Sequence, residues 1–271
     1  MNTDDIVKEA LNLVNMKELP ADSAVHVPGK NINRILYGID ISTAELLYAK
    51  KEGYDCVIAH HPVGSVDTWR VFLLHIQQLE AKGVPHEEAE QVVSKKVNLL
   101  KFALHARNYD VTPAFARQLE LPFLNIHCPS DELGRRRIHA AITELVEEKG
   151  NPVLGDLRPH LEKKFAEFKK AKTKVEIAKG TENDPLGNWV FSHGALTNGG
   201  FEIAECYYQH GVDTVLYIHI NPGDLVKIQE LGEGFLVVTG HIVSDSVGIN
   251  PFLDRLEELG CELTVIGGQI R

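Results

Sequence analysis

The sequence lacks long apolar runs, an excess of basic residues and paired cysteines, and each absence excludes a class of protein. No stretch approaches the ~18 consecutive apolar residues of a membrane-spanning helix, and acidic residues stand near the N-terminus where a signal peptide has basic ones. The net charge of −10 leaves no positive field for non-specific nucleic-acid binding. The four cysteines are scattered without a Cys-x-x-Cys pair, which is typical of free thiols. We therefore predict a cytoplasmic protein without membrane or nucleic-acid partners.

Strand and helix patterns alternate along most of the chain. A strand predicted at 33–40 is followed by a helix at 44–53, which Ser42 caps, and by a short apolar strand at 56–59. Such a unit is typical of a parallel sheet with helices on its faces. Further strands are predicted at 174–178, 188–192, 214–219, 235–239 and 263–266. The predicted fold class is therefore α/β, with two domains of mostly parallel sheets flanked by helices.

Thirteen histidines are present, and several of them follow apolar runs that we expect to be strands. Three such runs lie at 56–59, 99–106 and 235–239. The carboxyl ends of parallel strands converge at one edge of a sheet, where ligands bind, so we expect the side chains beyond these runs to meet in a cleft. The candidate metal ligands are His60, His61, Asp110, His241 and Asp245.

These five residues have the composition of a site for two metal ions. Adjacent histidines in an extended segment point to opposite sides, so His60 and His61 would each bind one ion. His241 and Asp245 are four residues apart and share a face if their segment is helical, while Asp110 would cap one ion or bridge both. Mixed imidazole and carboxylate ligands suit two divalent transition-metal ions, namely zinc, manganese, iron or nickel.

Each feature also has an ordinary structural interpretation. A His-His-Pro segment is common in surface turns, and Asp110 would serve as the N-cap of a helix predicted at 111–119. An acid such as Asp245 near a helix start complements the helix dipole. The metal interpretation therefore depends on all five residues occurring together after strands.

Three segments resemble a known family. They are GIDIS at 38–42, VIAHHPVG at 57–64 and VVTGHIVSD at 237–245. Together they are similar to the dinuclear metal centre hexameric proteins, which are NGG-interacting-factor-like and include members labelled GTP cyclohydrolase I type 2. The family pattern has an aspartate after the first strand, a strand ending in His-His-Pro, a histidine-to-aspartate motif after a third strand, and a late Gly-His-x-x-x-Glu. Order and approximate spacing match over nearly the whole chain.

The resemblance carries over residue by residue. His60 and His61 match the paired ligands, Asp110 matches the aspartate that closes the third motif, and His241 matches the late histidine. Asp245 stands where the family has glutamate, which shortens the side chain by one methylene. The resemblance implies a first α/β domain of residues 1–125 and 235–271 that carries the metal site. It also implies a second domain of residues 126–234 and a homo-oligomeric ring of six chains.

Four further residues are weaker candidates. The segment from His105 to Asp110 is one residue longer than the family pattern, so whether His105 is a ligand stays open. His219 follows the strand at 214–219 and is a candidate for the same edge, with a structural role as the alternative. His193 opens a glycine-rich turn at 193–200, which is typical either of phosphate binding or of a simple helix entry. Asp40 is expected to orient a ligating histidine.

Two functional hypotheses follow. The first is metal-dependent hydrolysis of a small-molecule substrate, for which the family label suggests a nucleotide or phosphoester. The second is a non-catalytic metal-binding or interaction protein that forms a ring. A Ser-His-Asp hydrolase is set aside because the sequence has no Gly-x-Ser-x-Gly turn. No catalytic residue is assigned, because family or fold alone does not establish a reaction.

Overall fold

The structure is a computed structural model that describes residues 1–195 and 198–271. These residues are mixed α/β, with 51% helix and two mainly parallel sheets flanked by helices, so the predicted fold class is confirmed. The helices are α1 (Thr3–Val14), α2 (Thr43–Glu52), α3 (Leu74–Glu80), α4 (His86–His105), α5 (Val111–Gln118), α6 (Cys128–Lys149), α7 (Leu157–Lys164), α8 (Ala166–Lys170), α9 (Gly200–Gln209), α10 (Pro222–Glu230) and α11 (His241–Glu258). The strands are β1 (Ala24–Val27), β2 (Arg34–Gly38), β3 (Cys56–Ala59), β4 (Phe123–Asn125), β5 (Glu176–Lys179), β6 (Trp189–Phe191), β7 (Thr214–Tyr217), β8 (Phe235–Val238) and β9 (Glu262–Ile266).

The first of two compact units comprises residues 1–71, 99–133 and 249–269. Its sheet has the strand order β1-β4-β3-β2-β9, in which β1 is antiparallel to β4 and the other neighbours are parallel. Every residue of β3 is buried, as expected for a parallel strand covered on both faces. Leu46 of α2 and Ala116 of α5 belong to the same buried apolar cluster as the strands.

The second unit comprises residues 72–98, 134–248 and 270–271. Its sheet has the strand order β5-β8-β7-β6, with β5 antiparallel to β8 and the other neighbours parallel. The core includes Ile142 of α6, Leu161 of α7 and Val237 of β8. The sequence led us to expect residues 235–271 in the first domain. In the structure β8 pairs with β7, so residues up to 248 belong to the second unit.

Local signals at both ends of α2 direct the chain into β3. The Ser42 hydroxyl accepts a hydrogen bond from the Ala44 N–H, and the Glu45 carboxylate accepts one from the Ser42 N–H, which forms a capping box. At the other end Gly53 adopts the left-handed conformation (φ 72°) that ends a helix with little steric cost. The helix therefore has a fixed length, and the returning chain enters β3 in register with β2.

The strand predicted at 99–106 is wrong, because these residues are the last turns of α4 and the segment that follows it. The buried residues of α4 recur at helical spacing, and they include Ala89, Val93, Val97 and Leu104. The segment LLKFALHA is a short apolar run, and such a run does not by itself distinguish a strand from a buried helix. The helix at 111–119 is confirmed as α5.

The third parallel strand of the first unit is instead β4, which lies next to β3 with Asn125 opposite Ala59. Neither β4 nor the antiparallel edge strand β1 was predicted. Because β3 and β4 are parallel neighbours, the residues that follow them emerge side by side at one edge of the sheet.

Two further expectations can be compared with the structure, and a third falls partly outside the described residues. In the described part of the chain, no helix is long and apolar enough to cross a membrane. All four cysteines are buried, and none of them is in a disulfide, as their scattered positions predict. Leu196 and Thr197, in the predicted glycine-rich turn, lie outside the described residues.

Candidate metal centre

His60 and His61 extend β3 beyond its last residue. The His60 N–H donates to the carbonyl of Gly38 and the His61 N–H donates to that of Ile39, each at 2.9 Å, so their backbone is fixed by β2. Alternation along the chain then separates the two side chains. The His60 side chain is fully buried, whereas that of His61 is 23% exposed.

A third histidine, His127, follows β4 and joins this pair. Ligand-capable atoms of His60, His61 and His127 all lie within 4.8 Å of one another. The ring centroids of His60 and His127 are 4.8 Å apart, and those of His60 and His61 are 5.1 Å apart. Three imidazoles at the carboxyl ends of two parallel strands thus converge on one point in the first unit.

In each of these three rings the Nδ1 atom contacts a hydrogen-bond acceptor. His60 Nδ1 lies 3.2 Å from the Ile126 carbonyl oxygen, His61 Nδ1 lies 2.7 Å from an Asp40 carboxylate oxygen, and His127 Nδ1 lies 2.6 Å from one of Asp22. Carbonyl and carboxylate oxygens only accept, so each Nδ1 carries the proton and donates it. A neutral ring in that tautomer presents the lone pair of Nε2, which is the usual arrangement of metal-ligating histidines.

The buried carboxylate of Asp131 faces two of these Nε2 atoms. It lies in the first turn of α6, with one oxygen 3.3 Å from His60 Nε2 and the other 3.4 Å from His127 Nε2. Protons on both nitrogens would satisfy the carboxylate, but two imidazolium rings so close together repel each other. One divalent cation would interact favourably with both nitrogens and the carboxylate at once. Three imidazoles and one carboxylate fit zinc, manganese, iron or nickel.

A buried network fixes His127 in place. The backbone N–H of His127 donates to Ser23 Oγ at 2.9 Å, and Ser23 Oγ in turn donates to the Asp22 carboxylate at 3.2 Å. The Asn125 side-chain nitrogen donates to the backbone carbonyl of Asp22 at 2.6 Å, and the Asn125 side-chain oxygen lies 3.1 Å from His26 Nε2. Burial lowers the pKa of His26, so this ring favours the neutral form. The network orients His127 through neutral hydrogen bonds and one carboxylate.

In the second unit, His241 and Asp245 form a smaller group. His241 is the first residue of α11, so the segment is helical and the two residues share a face. His241 Nε2 lies 3.3 Å from an oxygen of Asp245, whose side chain is 1% exposed. The His219 ring lies 4.5 Å from that of His241, and the Asn198 amide donates to His219 Nδ1 at 2.9 Å. His193 is buried beside Phe191.

Among the described residues, Asp110 does not join the ligand group of His60, His61 and His127. Asp110 occupies the N-cap position of α5 without a capping hydrogen bond, and its carboxylate pairs with Arg117 at 2.6 and 2.7 Å. His105 is an exposed residue at the end of α4. Among the groups of potential metal ligands found in the described chain, neither residue occurs. By contrast, Asp40 makes the contact with His61 that the sequence led us to expect.

Sequence reasoning missed His127 and Asp131. Their signal is the segment FLNIHCPSD at 123–131, a short apolar run followed by His-x-x-x-Asp. The same spacing occurs in His241 and Asp245, which were identified because the strand before them was predicted. The three-residue strand β4 was too short to be recognised, and the histidine after it was overlooked with it.

A family model for Duf34/NIF3 (NGG1p interacting factor 3) matches residues 22–268. The chain belongs to the Duf34/NIF3 family. This confirms the family to which the sequence motifs pointed. No curated protein matches the chain significantly.

One solved structure agrees with this assignment, and two others share the fold. A NIF3 superfamily protein from Sphaerobacter thermophilus is 42% identical, with 99% of this chain and 98% of that chain covered and a TM-score of 0.96. Reduced HcgD from Methanocaldococcus jannaschii is 15% identical over 98% of this chain and 97% of that one, with a TM-score of 0.57. TTHA1606 from Thermus thermophilus is 14% identical over 98% and 97%, with a TM-score of 0.51. The last two similarities concern the fold alone.

Proposed function

We propose that this NIF3-family protein is a metal-dependent hydrolase that binds two divalent transition-metal ions per chain. The first ion is assigned to His60, His61 and His127 together with Asp131. The second is assigned to His241 and Asp245. The observation that carries the proposal is the common orientation of three imidazoles, each with Nδ1 donating outward and two with Nε2 facing Asp131.

The chain's own residues would prepare this site for chemistry in two ways. Asp22 and Asp40 fix the ring tautomers of His127 and His61, so the ligands are oriented before an ion arrives. His61 and Asp40 are exposed to solvent by 23% and 81% of their side chains, whereas His60 and Asp131 are buried. An ion held on that partly open side would keep a position for water or substrate, as catalytic sites do.

Bound ions would supply an activated water and polarise the scissile group. The substrate class, by family resemblance, is a small nucleotide or phosphoester. Nucleotides and phosphoesters are anionic, and such a substrate would approach a site whose protein ligands are mostly neutral imidazoles.

The first test is metal content, measured on protein purified without a histidine tag and reconstituted with zinc or manganese. We expect about two ions per wild-type chain at these two sites, each counted by its loss in the corresponding variant. His127→Ala should lose the first ion, and Asp245→Ala should lose the second. His105→Ala is the matched control, because this exposed histidine lies in no ligand group, and it should bind as the wild type does. Wild-type protein without metal after reconstitution would disprove the proposal.

Activity is tested next, with a panel of phosphoesters and nucleotides on the fully loaded protein. Turnover that falls in parallel with metal content in His127→Ala would support the hydrolase. Full loading without any turnover would favour the second candidate, a non-catalytic metal-binding protein that assembles with itself. That candidate is supported by Leu99 and Phe102 of α4, two large apolar side chains that are 65% and 78% exposed.

A further inference from the structure

A second type of ligand group lies entirely within the second unit and shares no residue with the sites proposed above. Its members are Glu88 in the first turn of α4, Cys206 in the last turns of α9, and His210 at the C-terminal end of α9. One ligand atom of each, including the Cys206 sulfur, lies within 4.8 Å of the other two. We propose that these three side chains form a zinc site.

The spacing along α9 explains how two of the ligands meet. Cys206 and His210 are four residues apart, so their side chains lie on the same face of the helix end. The C-terminal end of a helix carries partial negative charge from its last carbonyl groups, which favours a cation there. Glu88 reaches this helix end from the start of α4, with a carboxylate oxygen 3.3 Å from His210 Nε2.

The orientation of the His210 ring directs Nε2 at the Glu88 carboxylate. His210 Nδ1 lies 3.0 Å from the Cys206 carbonyl oxygen and donates to it, so Nε2 is the ring atom that can bind a metal ion. Two lone pairs facing each other are repulsive unless a proton or a metal ion lies between them. Atoms held about 2.0–2.2 Å from a tetrahedral zinc ion lie roughly 3.3–3.6 Å apart, which matches the observed separation of these two ligands.

Cys206 makes the group selective for a borderline-soft metal. Burial, followed by the negative charges of Glu88 and Glu205, raises the pKa of the thiol to about 11, so without a cation it stays protonated at neutral pH. Zinc binding would replace the thiol proton, which passes to solvent, and form a zinc–thiolate bond. Any proton on His210 Nε2 would pass to solvent in the same way, and Nε2 and the Glu88 carboxylate would then complete the ligand set. Thiolate with imidazole and carboxylate suits zinc rather than magnesium or calcium.

Access to the group is sufficient for an ion and a water ligand. The side chains of Glu88 and His210 are 40% and 22% exposed, while Cys206 is buried behind them. Three protein ligands leave a fourth tetrahedral position for water. Binding would join the end of α9 to the start of α4 and stabilise the folded second unit, since an ion that binds only the folded state raises its stability.

The test uses cobalt(II) as a spectroscopic substitute for zinc in the metal-free full-length protein. Sulfur ligation gives a near-ultraviolet sulfur-to-cobalt charge-transfer band, which ligation by nitrogen and oxygen alone does not. We expect the band in the wild type, its loss on zinc addition, and its absence in Cys206→Ser. In Glu88→Gln and His210→Gln, the cobalt affinity measured from this band should be weaker by about tenfold or more. No band in the wild type, or an equal band in Cys206→Ser, would overturn the proposal.

Matched controls make the outcome specific. Cys261→Ser removes another buried thiol and Glu87→Gln removes the neighbouring acid of α4, and both should keep the full band. His127→Ala should also keep it, because the ligands assigned to the hydrolase site include no cysteine. If Cys206→Ser does not fold, the decision passes to His210→Gln, and unchanged cobalt affinity there would equally overturn the proposal. A cobalt-loaded wild type without the band would leave the hydrolase proposal intact.

Discussion

Asp22 and Asp40 both accept a hydrogen bond from a histidine of the first unit, but their surroundings differ. Asp22 is 1% exposed and is held by Ser23, whereas the Asp40 side chain is 81% exposed. Water hardly weakens the hydrogen bond between a buried carboxylate and an imidazole ring, whereas it competes for an exposed carboxylate. The two aspartates should therefore contribute unequally to metal affinity.

Asp22→Asn is expected to weaken zinc binding by about 10–100-fold, because the amide lowers the basicity of His127 and no longer fixes its tautomer. Asp40→Asn should weaken it clearly less. Competition with a chelating dye measures both affinities, and circular dichroism checks that each variant is folded. Equal effects of the two substitutions would contradict the argument from burial.

At the same scale, the sequence was informative about His60 and His61 and uninformative about their neighbours. The His-His-Pro motif can be recognised in the sequence because it follows an apolar run that predicts a strand. His127 and Asp131 follow a strand of three residues, and a strand that short has no recognisable alternation. Asp110 and Arg117 are seven residues apart, two turns along one face of α5, and the side-chain conformations that bring the carboxylate to the guanidinium are not visible in the sequence.

Among the elements, α6 carries a titratable group whose effect on stability can be predicted in sign. His139 packs on Trp189 of β6, with ring centroids 4.6 Å apart. Partial burial, followed by the positive charges of Arg135 and Lys82, lowers its pKa below the ordinary value of 6.5. The unfolded chain therefore binds this proton more readily than the folded one. The contribution is favourable above pH 6.5 and is lost as the pH falls from 6.5 toward the lower folded-state pKa.

His139→Gln should accordingly flatten the dependence of stability on pH. Urea unfolding at about pH 7.5 and about pH 5.5 gives the free energy of unfolding in each condition. We expect the wild type to lose more stability than the variant between the two. His86→Gln is a useful comparison, because nearby Glu80 and Glu90 raise the pKa of this exposed histidine and reverse the sign. A variant with the same pH dependence as the wild type would contradict the assignment to His139.

Many elements could be predicted, and the C-terminal part of α4 shows why others could not. Strands such as β3 and β8 lie between clear turn or cap signals, so an apolar run of four residues suffices there. The run LLKFALHA has no such boundary on its N-terminal side, because it continues a helix that began at His86. Its apolar residues also divide between buried Leu104 and exposed Leu99 and Phe102, which no local pattern indicates.

For the molecule as a whole, the resemblance predicts a ring of six chains, and the exposed apolar residues of α4 offer a means to test it. Phe102→Ser should reduce the assembly to smaller species, because this side chain is 78% exposed in the single chain. Light scattering coupled to size exclusion measures the mass, which we expect to be about six chains for the wild type. Val226→Ser, which alters another exposed apolar residue, on α10, should leave the mass unchanged. A monomeric wild type would contradict the prediction.

The two sheets share one plan. The first four strands of the chain lie side by side in the order β1-β4-β3-β2, and the next four lie in the equivalent order β5-β8-β7-β6. In each set the strand that comes first in the chain lies at the edge and is antiparallel to its neighbour. In both, the fourth strand leads into His-x-x-x-Asp at a helix start, with ring nitrogen and carboxylate 3.4 and 3.3 Å apart. Duplication and fusion of one ancestral gene would produce this order, with β9 as a later addition to one copy. The ability to bind a cation would then be older than the two-unit protein, since each copy inherited its own histidine and aspartate.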